Sequence, residues 1–268
     1  MKIWKLAVTL AVIAAGGKGA AHEFWIDPTV FAVGSGEAIE AQLRVGEAYL
    51  GAAQPYLPRN FARFDVVSGD LTRQVQGRMG DIPALIMAGL PDGLAVVVHE
   101  TAGQNLTWPT WERFVDFAAH KDLGDVAAMQ DERGLDREGV RELYFRYAKS
   151  LIAVGEGAGA DARMGLRTEI VALANPYTDD LTGGVPVQLW LDDAVRADEQ
   201  VEIFERAPDG TIVITTQRTD GDGIARVPVR PGHDYMVDAV TLEPSDPFLD
   251  TDPEWVTLWA NLTFSVPQ

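Results

Sequence analysis

The sequence predicts a mainly β protein: an N-terminal β-rich domain carrying a two-helix insert, followed by an immunoglobulin-like β-sandwich. Three observations lead there. Short runs alternate apolar and polar residues with a period of two. About six or seven such runs follow one another at regular spacing over the last hundred residues. A helical period is confined to one stretch in the middle of the chain.

Taken in order, Met1 to Ala21 read as a secretory signal. Lys2 and Lys5 supply the charged start, Leu6 to Ala15 the apolar centre, and Gly19-Ala20-Ala21 the small residues before cleavage. Cleavage there makes His22 the first residue of the mature chain. Residues 22–160 form the expected β-rich domain. Ile39, Ala41, Leu43 and Val45 alternate with Glu40, Gln42 and Arg44, a half-buried strand, and Phe61 to Val67, Ile82 to Met87 and Leu94 to His99 are further strands. Trp111, Phe114, Val115, Ala118 and Ala119 make one helical stripe with Thr110 as its N-cap. Val140, Leu143, Tyr144, Tyr147 and Leu151 predict a second helix over Asp136 to Ile152, and Gly155 to Ala160 read as a loop. Residues 161–268 form the expected sandwich. Its strands are Val185 to Leu191, Val201 to Arg206, Thr211 to Thr219, Ile224 to Val229, Tyr235 to Leu242 and Trp255 to Val266, with turns at Pro208-Asp209-Gly210, Asp220 to Gly223 and Pro231-Gly232.

Composition narrows the function classes. The chain has no cysteine, which excludes disulfides, thiolate metal sites and cysteine nucleophiles. Its formal charge is −18, and loss of Lys2, Lys5 and Lys18 with the signal takes it to about −21. Such a surface repels nucleic acid and anionic lipid. Beyond the signal no apolar run approaches the ~20 residues of a membrane helix, so the expected product is periplasmic, with no direct membrane anchor. No phosphate-binding glycine loop, G-x-S-x-G elbow or H-E-x-x-H pattern occurs.

The chain has four histidines. A free N-terminal His22 offers its α-amine and its ring Nδ1 to one metal ion, and an amine with a pKa of about 7.7–8.0 yields its proton readily near neutrality. His99 ends an apolar strand and is either a second ligand or a core-edge histidine. His120 falls opposite the apolar stripe near a helix C-terminus, where solvent exposure is the simpler reading, although chain reversal could bring it to the site. His233 lies in a turn and reads as solvated. Glu23 and Glu100 neighbour the first two histidines and could complete a site or support it from behind. Asp246, Asp250, Asp252 and Glu254 lack the glycine and ligand order of a calcium loop. Most of the tryptophans read as core.

Several segments carry a family resemblance. These are His22-Glu23-Phe24-Trp25-Ile26-Asp27-Pro28, Arg44-Val45-Gly46-Glu47, Glu142 to Gly155, Gly165 to Tyr177 and Trp255 to Phe264. In that order they resemble the periplasmic component associated with nickel/cobalt ABC uptake systems, a domain of unknown function. The resemblance implies an exported, mostly β protein that binds a divalent transition metal, Ni²⁺ or Co²⁺, and passes it to membrane components of an uptake system without chemical turnover; Cu²⁺ also suits a nitrogen-rich site. It implies metal ligands at His22 and His99; the residues themselves add Glu100 and His120 as further candidates. Many members also carry a histidine near the segment Met129 to Gly134, where this chain has none. Two other readings fit the residues: a copper oxidase with a histidine brace, and a metal-free envelope module.

Overall fold

The computed structural model describes residues 22–247, 249 and 251–268, so the predicted signal segment lies outside the described residues. The protein is mainly β. Strands β1 (Glu23–Pro28), β2 (Ala32–Val33), β3 (Ile39–Glu47), β4 (Leu50–Gln54), β5 (Phe61–Ser68), β6 (Leu71–Gln74), β7 (Leu85–Met87), β8 (Gly93–Thr101) and β9 (Gln104–Thr107) precede helices α1 (Trp111–His120) and α2 (Val126–Glu132). Then come β10 (Arg141–Val154), β11 (Thr168–Ala172), β12 (Val185–Leu191), β13 (Ala194–Val195), β14 (Gln200–Arg206), β15 (Ile212–Arg218), β16 (Ile224–Val227), β17 (Asp234–Pro244) and β18 (Trp255–Ser265).

One ten-stranded sheet organises everything else. Its order is β15-β14-β17-β18-β10-β8-β5-β6, with β2 and β9 also pairing to β10. The β10–β18 pair is parallel, from Glu142 opposite Trp255 to Ser150 opposite Thr263. Strands from both sides of residue 160 therefore share this sheet.

Strand alternation gives the sheet two apolar faces. Val96, Val98, Leu151, Val237 and Leu262 point to one face, where they meet Ile170, Val187 and Leu189 of the sheet β11-β12-β13 and β16. That pair of layers is the β-sandwich. On the other face, Val66, Val97, Ala148 and Ile152 pack beneath the small sheet β1-β3-β4 and β7. Beside that sheet, Trp255 and Trp259 pack against Trp108 and Phe114.

Helix α1 forms as its stripe predicts. Thr110 Oγ1 accepts a hydrogen bond from the Arg113 amide at 3.3 Å, and Phe114, Phe117 and Ala118 are buried. The second helix is elsewhere: it is α2, capped by Asp125, whose carboxylate accepts from the Ala127 and Ala128 amides. The segment predicted as helix, Asp136 to Ile152, instead contributes most of the 14-residue strand β10. Being central, β10 is apolar on both faces, Tyr147 and Leu151 on one and Ala148 and Ile152 on the other. A strand buried on both sides loses its period of two, and its length suits a helix better than the usual strand of 3–10 residues.

Strand β1 crosses the central sheet. It pairs antiparallel with β3, Glu23 opposite Gly46 through Pro28 opposite Ala41, and Thr263 Oγ1 donates to the Ile26 carbonyl at 2.7 Å. The β3–β4 hairpin turns at Ala48 and Tyr49, with φ of 56° and 63°.

Candidate functional site around strand β1

Because successive side chains of β1 point to opposite faces, its start serves two buried places at once. Phe24 faces the core under the small sheet, and Glu23 faces the end of α1.

His99 lies on the Phe24 side. Strand β8 continues to Thr101, so His99 sits inside the strand and is fully buried, with 0% exposure. Phe24, Phe61 and Phe64 surround its ring, with centroids at 5.0, 4.7 and 4.9 Å. Neither ring nitrogen has a hydrogen-bond partner among the described residues. Burial alone pushes its pKa down to about 3, so the imidazole is neutral at any physiological pH. A neutral imidazole is the form that ligates a metal.

The ring borders a cavity of about 120 Å³ whose lining includes the polar residues Arg146, Gln54, Asn60, Thr101 and Gln104 and the apolar residues Phe24, Leu43 and Phe61. Arg146 also reaches the residue before β1: Nη2 donates to the His22 carbonyl oxygen at 2.9 Å. Arg146 thus ties the His22 backbone to a guanidinium lining the cavity that His99 borders. Glu100 is not part of this place. As the next residue on β8 it points to the opposite face, where it pairs in register with Arg63 and lies near Tyr147. Burial raises the Glu100 pKa and Arg63 opposes that rise.

On the Glu23 side lies a buried charge cluster. Lys121 Nζ donates to Glu23 Oε1 at 3.1 Å, to Asp238 Oδ2 at 3.3 Å and to Glu202 Oε2, and it sits 4.9 Å from the centre of the Trp259 ring. Burial works against the ammonium, but Asp238, Glu23 and Glu202 together outweigh it and raise its pKa. Burial raises the Asp238 carboxyl, against the pull of Lys121. His120 is mostly exposed, its side chain 65% accessible, with Nε2 2.9 Å from Glu202 Oε1. His120 and His99 therefore belong to opposite faces of β1. His233 lies far along the chain, its Nδ1 2.7 Å from Glu205 Oε1.

Among the described residues no group of three or more His, Asp or Glu side chains converges as a metal site. What this region offers a metal is the unpartnered imidazole of His99, a donor that suits a borderline transition metal. The acidic segment near the C-terminus is structural. Glu254 accepts from Arg141 at 2.8 Å and Asp252 Oδ2 accepts from the Leu249 amide at 2.9 Å, while Asp250 lies outside the described residues.

Sequence reasoning missed Arg146 and the Lys121 cluster. The signal was present: Arg146 and Lys149 interrupt an apolar run, and Glu202 and Asp238 sit between apolar neighbours in Val201-Glu202-Ile203 and Val237-Asp238-Ala239. Buried charges of this kind need partners, and here the partners lie 81 to 117 residues apart in sequence.

A family model described as a domain of unknown function (DUF4198) matches residues 19–243. No curated protein matches the chain. A solved structure of a tetra-tandem repeat in the extending region of a large adhesion protein is 13% identical, over 91% of this chain and 49% of its own, with a TM-score of 0.20. The chain thus spans about half the length of that structure. None of the described helices is long and apolar enough to cross a membrane.

Proposed function

The chain belongs to the DUF4198 family, and from that premise we propose that it is an exported binding protein for a divalent transition metal, Ni²⁺ or Co²⁺ by the family resemblance, which it holds and hands to a membrane uptake system. The observation that carries this reading is His99: a fully buried, neutral imidazole with neither nitrogen partnered, bordering a cavity whose Arg146 holds the His22 backbone. A buried polar group without a partner costs about 1–3 kcal/mol, a cost that a bound ion would remove.

In this reading, signal cleavage creates the site by freeing the His22 amine. The amine and ring of His22 form a chelate, and His99 adds a third nitrogen from the cavity wall. Arg146 fixes the chain start by its bond to the His22 carbonyl. The phenylalanine cage keeps the imidazole unprotonated, so proton competition for that ligand is weak near neutrality. Binding and release are the whole activity. The acidic surface raises the local concentration of cations without selecting among them.

The test is calorimetric titration of the mature protein, its N-terminus verified by mass, with Ni²⁺, Co²⁺ and Cu²⁺. One-to-one binding is expected. A form carrying one alanine before His22, and separately His99→Leu, should each weaken it at least tenfold. Equal affinity in all three forms overturns the assignment.

A further inference from the structure

Arg146 presents a second anomaly. It is 9% exposed, yet it makes no ion pair with any carboxylate among the described residues. Its Nη2 goes to the neutral His22 carbonyl, and Nε has no partner. Its flat faces rest on Tyr144 at 4.6 Å and near Phe24 at 6.0 Å. Asp238, Glu142 and Glu23 act on it only through space, and burial lowers its pKa, though a guanidinium remains charged. Each of the other cations buried to this degree has a carboxylate in contact: Lys121 has three, Lys149 has Asp161 and Glu169, and Arg196 has Glu199. A buried cation left without a counter-ion is expensive, and it lines the cavity of His99.

We propose that this cavity binds a short-chain monocarboxylic acid, its carboxylate on the Arg146 guanidinium and its aliphatic body against Phe24, Leu43 and Phe61. Three features fix that class. Guanidinium and carboxylate match in geometry and charge. One buried guanidinium balances one negative charge and not two, which disfavours phosphate, sulfate and dicarboxylates. Phe24, Leu43, Val45, Leu57 and Phe61 give the lining a hydrocarbon part, which suits an alkyl group that an inorganic oxyanion lacks. A cavity of about 120 Å³ holds the equivalent of about four waters, which limits the acid to a few carbons. Gln54, Asn60 and Gln104 add amides to the lining. The inference shares the cavity with the metal reading but requires no metal.

The experiment uses the mature protein in EDTA, titrated with acetate, propionate and butyrate, with sulfate and phosphate as the competing chemistry, followed by calorimetry and by thermal shift. Propionate or butyrate should bind at low-millimolar concentration or tighter. Arg146→Gln should weaken that binding at least tenfold while leaving the ligand-free melting temperature equal or higher, because it removes an unpaired buried charge. Val45 also lines the cavity, so Val45→Phe, which fills part of it and keeps the guanidinium, should lose butyrate before acetate. No carboxylate binding at about 10 mM, equal binding by Arg146→Gln, or preference for sulfate or phosphate would each overturn the proposal. Loss of nickel binding alone would leave it standing and remove only the metal reading.

Discussion

The most direct physical consequence of the His99 environment is a pH-dependent stability that one substitution should abolish. The imidazole titrates near 6.5 when solvated and near 3 in the folded cage, so the unfolded chain binds the extra proton throughout that interval. Stability is therefore intact above about pH 6.5 and falls as pH drops toward 3. Each pKa unit is worth about 1.36 kcal/mol, so the loss from this residue reaches about 2 kcal/mol at pH 5. His99→Leu removes the titration and replaces an unpartnered polar ring by hydrocarbon among Phe24, Phe61 and Phe64. Urea unfolding of the metal-free protein and the variant at pH 7.5 and pH 5.0 measures the difference. Both proteins share every carboxylate, so their common acid sensitivity cancels, and the wild type should lose about 2 kcal/mol more than the variant. Parallel pH dependence in the two would refute a neutral, unpartnered His99.

Two other substitutions test neighbouring parts of the account. Lys121→Ala leaves Glu23, Glu202 and Asp238 buried without their cation and should cost about 3–5 kcal/mol in urea unfolding at pH 7.5; a loss under about 1 kcal/mol would mean the cluster is hydrated. Ala48 holds a φ of 56° in the β3–β4 turn, which glycine adopts without strain, so Ala48→Gly should raise stability by roughly 1 kcal/mol, read as a higher urea midpoint; a lower midpoint would refute strain there.

The strands on the periphery were legible because one face of each meets solvent or a less apolar layer. Ile39 to Val45 and Val185 to Leu191 form close to where alternation places them, while Tyr235 to Leu242, in an interior strand buried on both faces, was found from its spacing between turns. Strand β10 was not legible, since burial on both faces erases alternation and leaves a pattern that a helix fits as well. Strand β1 went unread as a strand because all six of its residues are buried. The candidate site divides in the same way. His99 was visible as a histidine at the end of an apolar run, but its cage comes from β1 and β5, which sequence does not place beside it. Glu100 looked like a companion in sequence and lies on the far face, a direct result of the two-residue period. The pairing of Lys121 with three acids from three distant segments is a property of the fold alone.

The central claim is that His22, just before β1, and His99 of β8 meet on one metal ion, and the spectrum of that ion tests it most directly. Electron paramagnetic resonance of the Cu²⁺-loaded mature protein, compared with His99→Leu, counts the imidazole nitrogens on the metal. Two imidazoles in the wild type falling to one in the variant is the predicted result. Identical spectra would place the metal away from His99 and contradict the account.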